Sequence, residues 1–223
     1  LTEKNRMVFT LMPEVETPKT DAPKAAVSAN VTAQQVIDNY AAALGGKSKL
    51  EAVKTVKTLS TIKVMGMEME ATTLEMAPNK SKAVQKIMGQ EMVQVFDGEK
   101  GYMMQAGQRM DLPAPAIEEA KKKRLFEVLS YNAADFKTVE KVTEEGKELY
   151  LLAGAGKKLY FDTKTNLLVK STSDKGDMVI LDYMEVDGIK FPKNLKLAMM
   201  GQNMEMTNNQ VIVNKEVSAE DFK

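Results

Sequence analysis

From Val53 to Val213 the apolar residues recur with a period of two, and glycine-bearing turns break the alternation roughly every ten residues. A period of two places successive side chains on opposite sides of an extended chain. Val56, Thr58, Ser60, Ile62 and Val64 alternate with Lys57, Thr61 and Lys63, and Gly66 then turns strand 54–65 into strand 67–76. A second hairpin at "MGQE" joins 80–88 to 91–96, and "FDGEKG" turns into "YMMQ". Alternation resumes at Lys137 through "ELYLLAG", "KKLYFD", "LLVKST", "MVILDYMEVDG" and "LKLAMM", with turns at "GAGK", "TKTN", "SDKGD" and "VDGIKFP" and a last strand near 204–214. The expected fold class is α+β: one strongly curved antiparallel sheet of about ten strands wrapping helices.

Two segments depart from this period. Thr32-Ala-Gln-Gln35 is a capping box, and Val36, Ile37, Tyr40, Ala41 and Leu44 form a helical stripe that ends at Gly45-Gly46. Ser48 to Glu51 reads as a second capping box opening a short turn. "LPAPAIEEAKKKRLFEVL" predicts a helix over 116–129 with Pro115 near its first turn. Its basic run Lys121–Arg124 reads as a solvated helix face, with an anionic partner as the other reading. Residues 1–30 stand apart: "RMVFTLM" is a candidate strand, followed by a linker holding Pro13, Pro18 and Pro23. The compact domain therefore spans 31–223. The start at Leu1 reads as a processed or excised fragment.

Composition removes whole classes of chemistry. The 223 residues include no His and no Cys. A Ser-His-Asp or Cys-His triad and a histidine-ligated zinc site are therefore impossible within this chain. Lys plus Arg equals Asp plus Glu at 31 each, which argues against nucleic acid as a partner. No apolar run approaches the ~20 residues a membrane-spanning helix needs, so contact with a membrane is peripheral at most. "AGAGKK" at 153–158 lacks the spacing of a phosphate-binding loop and reads as a hairpin turn. Asp97, Asp182, Glu185 and Asp187 are candidate acid–base carboxylates, but Asp97-Gly98 and Asp187-Gly188 are turn dipeptides and no nucleophile accompanies them.

The 17 methionines gather near turns, as in "VMGMEME", "MMQAGQRM" and "MMGQNMEM". They admit three readings: core filler, a deformable wall for an apolar ligand, or soft thioether ligands for Cu(I). Period-2 methionines beside hairpins favour packing over metal. On the wall reading the candidate ligand-binding residues are Val64, Met67, Leu74, Met76, Met92, Phe96, Met104, Leu181 and Leu197. No catalytic residue, metal ligand or cofactor is expected.

The ordered set "ALGGKSKLEAVKTVKT", "TIKVMGMEME", "APNKSKAVQKIMGQEMVQVFDGEKGY", "LYFDTKTNLLVKST", "LDYMEVDGIKFPKNLKL" and "NKEVSAEDFK" resembles the outer-membrane lipoprotein-sorting and lipoprotein-carrier superfamily, over about 31–223. Tyr102 stands where relatives often have Trp. The resemblance implies a half-barrel with an apolar concavity for acyl chains or a lipoprotein segment, in the periplasm or cell envelope, without catalytic residues. "LTEKNRMVFTLMPEVE" is similar to the closing strand of an insulinase/pitrilysin-type zinc peptidase domain. That implies an upstream peptidase domain carrying the active site, since the H-x-x-E-H motif is absent from this chain.

Overall fold

The computed structural model describes residues 27–28, 30–87, 89–154, 156–199 and 201–223. The strand expected near residues 5–12 and the proline-bearing part of the linker lie outside the described residues. The end of that linker, Val27–Ser28 (β1), pairs with residues Lys141 and Glu140 at one edge of the sheet.

Along the chain follow helices α1 (Ala33–Leu44) and α2 (Lys47–Ala52), then strands β2 (Thr55–Val64), β3 (Met67–Met76), β4 (Lys80–Ile87), β5 (Gln90–Phe96), β6 (Gly101–Gln105) and β7 (Gln108–Asp111). Helix α3 (Ala114–Lys122) and two 3₁₀ turns, Glu127–Ser130 and Ala133–Asp135, interrupt them. Strands β8 (Thr138–Glu144), β9 (Lys147–Gly154), β10 (Lys157–Asp162), β11 (Leu168–Ser173), β12 (Gly176–Val186), β13 (Ile189–Met199) and β14 (Gln202–Val213) complete the sheet, and a 3₁₀ turn, Ala219–Phe222, ends the chain.

All strands join one open, curved antiparallel sheet in the order β1-β8-β9-β10-β11-β12-β13-β14-β2-β3-β4-β5-β6-β7. The single sheet agrees with the alternation, but the strand count exceeds ten. The expected set omitted β7, whose four residues "QRMD" show no alternation of burial, and the paired edge β1.

The hairpin chemistry is local. Met65 and Gly66 have φ of 50° and 77°, and Asp187 and Gly188 have 53° and 72°. Two consecutive positive φ values make the primed turn whose twist matches the flanking strands.

α1 begins as its sequence dictates. The Thr32 N–H donates to Gln35 Oε1 at 2.9 Å, and the Gln35 N–H donates to Thr32 Oγ1 at 3.2 Å. Its stripe Val36, Ile37, Tyr40, Ala41 and Leu44 is buried against Ile189, Phe191 and Leu195 of β13, Leu159 and Phe161 of β10, and Leu152 of β9. Gly45 is held tightly at the helix end: a Cβ there would sit 2.5 Å from the Gly188 carbonyl oxygen. The second capping box does not form. α2 is preceded by Gly46 without a side-chain cap, and Ser48 lies inside the helix.

The expected helix 116–129 is also corrected. α3 stops at Lys122, and Lys123 is extended with φ −63° and ψ 150°. Phe126 and Val128, two residues apart, are both buried in the core. A continuous helix would turn residues two apart to different sides. Burying both anchors therefore requires the chain to leave the helix.

Candidate functional site: the methionine-lined inner face

Residues paired across antiparallel strands point to the same side, so register assigns faces. Val56 and Val211 belong to the core under α1, which defines their side as the inner face. One transverse row on that face runs Met178, Leu197, Met204, Val64, Met67 across β12, β13, β14, β2 and β3. The neighbouring row is Ile180, Leu195, Met206, Ile62, Met69. Farther along, Gln85 pairs with Met92, and Ala83 pairs with Gln94, which pairs with Met103 and so with Met110.

α1 covers only part of this face. Leu195 and Ile180 beneath it are buried, whereas Met67 is 44% exposed and Met110 is 46% exposed. Met69, Met92, Met103, Leu197 and Met204 are half-buried. The far half of the inner face is thus an open surface of thioethers with interspersed Gln, Thr and Ala.

Charge is partitioned across the sheet. On β2 to β7 and β14, the register sends Lys57, Lys63, Glu68, Glu70, Lys80, Lys82, Lys86, Glu91, Arg109, Asp111 and Glu205 to the outer face. Lys63 and Glu68 meet there at 3.2 Å. Among the described residues of these strands, Glu75 alone brings a charge to the inner face. It pairs with Val56 and Ser81 and is half-buried. Burial holds its carboxyl above the usual carboxylate range, and nearby Lys123 offsets part of that shift.

A cavity of about 280 Å³ opens between the helices and the inner face. Tyr40 and Leu44 of α1, Leu125, Phe126 and Val128 of the segment after α3, and Val56, Met178, Ile180, Phe191 and Val211 of the sheet form its apolar wall. Thr58, Glu75, Glu127, Lys190 and Asn208 supply its polar points. Met178 and Ile180 also begin the two transverse rows, whose remaining residues lie beyond the cavity wall. Tyr40 is buried, which pushes its hydroxyl up to about 12; a hydrogen bond with Tyr183 opposes the shift and Glu127 adds to it. Neutral at any ordinary pH, it acts as a wall and hydrogen-bonding group.

Of the nine expected wall residues, Val64, Met67, Met92, Phe96 and Leu197 lie on the inner face. Phe96 is only 2% exposed and is already covered; Leu112 packs over the adjacent Gly101. The other four do not share that wall. Leu74 pairs with Lys57 and Lys82, Met76 with Lys80, and Met104 with Arg109, all on the outer face. Leu181 follows inward-pointing Ile180 at a β-bulge and is 57% exposed. The reason is parity: Met67 and Met76, nine residues apart on one regular strand, must face opposite sides. The expected set also omitted Tyr40, Glu75, Phe126, Met178, Met204 and Met206. Met204 and Met206 were hidden because the β-bulge between Asn208 and Gln210 reverses the parity set by Val211 and Val213; the loop residues gave no such signal.

The candidate carboxylates do not assemble. Asp97 Oδ1 accepts from the N–H groups of Glu99 and Lys100 at 2.8 and 2.7 Å. These bonds lower its pKa. Asp182 Oδ1 accepts from the Tyr183 N–H at 2.8 Å, and Asp187 forms its turn. Tyr102, on the outer face, donates to the Lys223 carbonyl oxygen at 3.2 Å beneath the Arg109 guanidinium.

No protein-family description and no curated protein sequence matches the chain. Solved structures do share its fold. An outer membrane lipoprotein-sorting protein domain from Vibrio parahaemolyticus superposes with a TM-score of 0.55 at 10% identity, covering 86% of this chain and 97% of that one. A DUF1329 family protein from Desulfovibrio piger gives a TM-score of 0.53 at 8% identity, covering 86% and 97%. At such identities the likeness shows the fold alone. The chain has the half-barrel architecture of these domains.

Proposed function

We propose that this chain is a non-catalytic binding domain of the cell envelope or periplasm, holding an acyl chain or an apolar protein segment against its inner face. One observation carries this reading. Among the described residues, the strands β2 to β7 and β14 place every charged side chain but Glu75 outside, yet the inner side is left half open. A partly uncovered apolar face on a folded protein is the kind of surface that binds a partner. Methionine suits it, since a flexible, polarizable chain conforms to partners of varied shape. The cavity, about 280 Å³, lies just below the roughly 300–1,000 Å³ typical of ligand pockets, which suits a single chain. The lipoprotein-sorting domain that shares this fold supports the envelope setting. The alternative, a fragment of a zinc peptidase whose active site lies upstream, draws only on residues 1–16, outside the described residues.

Displacement of an environment-sensitive apolar dye by a fatty alcohol tests the reading. The expected result is saturable binding that weakens about tenfold or more when Met67 and Met204 are both replaced by Glu, because unpaired charges enter the wall. Leu181→Glu, at an exposed position off the wall, should leave binding unchanged. Equal loss in both variants, or no binding by the wild-type chain, would overturn the reading.

A further inference from the structure

The basic run Lys121–Arg124 is exposed throughout but only half helical: Lys121 and Lys122 close α3, and Lys123 and Arg124 follow it. α3 ends at Lys122, Lys123 is extended, and the Arg124 Nη1 donates to the Lys123 carbonyl oxygen at 3.0 Å. Leu125 is half-buried and Phe126 is buried in the core. Lys122, Lys123 and Arg124 are therefore held where the chain dives into the half-barrel. They line a second, open cavity of about 660 Å³. Leu125 and Glu127 line both this cavity and the apolar one under α1, so the two adjoin.

The acidic groups at this mouth are matched. Glu127 is engaged by Lys157 at 2.5 Å, and Glu119 by Lys175. Among the described residues, Lys122, Lys123 and Arg124 form no ion pair. Glu75, on the inner face nearby, feels the charge of Lys123. The mouth carries five cations against Glu119 and Glu127, a local excess of positive charge beside an apolar hole.

We propose that this mouth holds the anionic head of a single-chain amphiphile whose apolar part occupies the cavity under α1. The inference rests on the apolar-binding reading above and names the ligand class. The shared chemistry is a carboxylate or phosphate head on an alkyl chain. Arg124 can engage two oxygens of such a head at once, and the lysines act as mobile point charges. Exposed cations each contribute modestly and are screened by salt.

The test uses the delipidated chain and compares dodecanoate, dodecyl phosphate, dodecanol and dodecyltrimethylammonium as dye competitors, below their aggregation thresholds. The expected order places the two anions about tenfold ahead of the alcohol at low salt, with the cation last and the gap narrowing at high salt. The dodecanoate and dodecyl phosphate arms separate a free fatty acid from a phospholipid-type head. A K122Q/K123Q/R124Q variant should bring the anions to the alcohol's level and leave alcohol binding unchanged. These three positions are exposed, so folding is preserved; a circular dichroism melt verifies that. Alcohol binding without anion preference, or a preference that survives the triple substitution, would overturn this inference alone. Failure of all four compounds would overturn the apolar-binding reading together with it.

Discussion

Glu75 shows how one residue sets a pH dependence. Its folded pKa is raised above the ordinary carboxylate range, chiefly by burial. A carboxyl with a raised folded pKa binds its proton more tightly in the folded chain. Its stabilising contribution is complete below the unfolded value and is lost as pH rises through the folded value. Glu75→Gln should therefore raise the unfolding midpoint relative to wild type at neutral pH, with the difference vanishing near pH 4. Urea melts across that interval check it; a difference that grows toward acid would be the wrong sign. Gly154 makes a second point, about contact. A Cβ at this position would lie 2.0 Å from the Asp135 carbonyl oxygen and 2.8 Å from Phe136 Cα. Backbone cannot swing aside as a side chain can, so Gly154→Ala should cost about 1–3 kcal/mol in chemical denaturation. A neutral result would mean the Asp135–Phe136 segment shifts freely.

At the scale of elements, what was legible follows from where the determining forces act. The β2–β3 hairpin and α1 were readable because their signals are local: alternation, a primed turn, a reciprocal cap. The segment from α3 to Val128 was not. Its Glu-Lys composition favours helix, and only the distant core residues that Phe126 and Val128 meet decide otherwise. Propensity yields to tertiary burial there. The same limit applied to the wall. Parity along β3 was already present in the sequence and separates Met67 and Met69 from Leu74 and Met76. The contribution of Tyr40 and Phe126 to the cavity depends on how helix and loop fold over the sheet, which no local pattern encodes. The α3 segment is also tied to the sheet by the exposed pairs Glu119–Lys175 and Glu127–Lys157. Exposed pairs contribute about 0–1 kcal/mol each. The double change K157Q/K175Q should lower stability by no more than about 2 kcal/mol in urea melts. A larger loss would show that the ion pairs, rather than Phe126 and Val128, anchor the segment.

The whole molecule is one open sheet with unequal cover. Its β9–β13 side and the Val56 end of β2 carry α1 and a continuous core, whereas much of the inner face from β14 through β7 is left partly open, with methionine, glutamine and a single carboxylate among its residues. An open sheet of this kind is stable because the covered side supplies the core, and the uncovered side is then free to bind. The central claim, that the inner face is the binding surface, concerns which methionines meet a ligand. The most direct measurement labels the methionine methyl groups with ¹³C, assigns them by substitution, and follows their NMR shifts during titration with dodecanol. The account predicts that Met67, Met69, Met178, Met204 and Met206 shift together and saturate with one affinity, while Met76 and Met104 on the outer face stay unmoved. Shifts confined to Met76 and Met104, or saturable binding that leaves all the inner-face methyls unmoved, would contradict it.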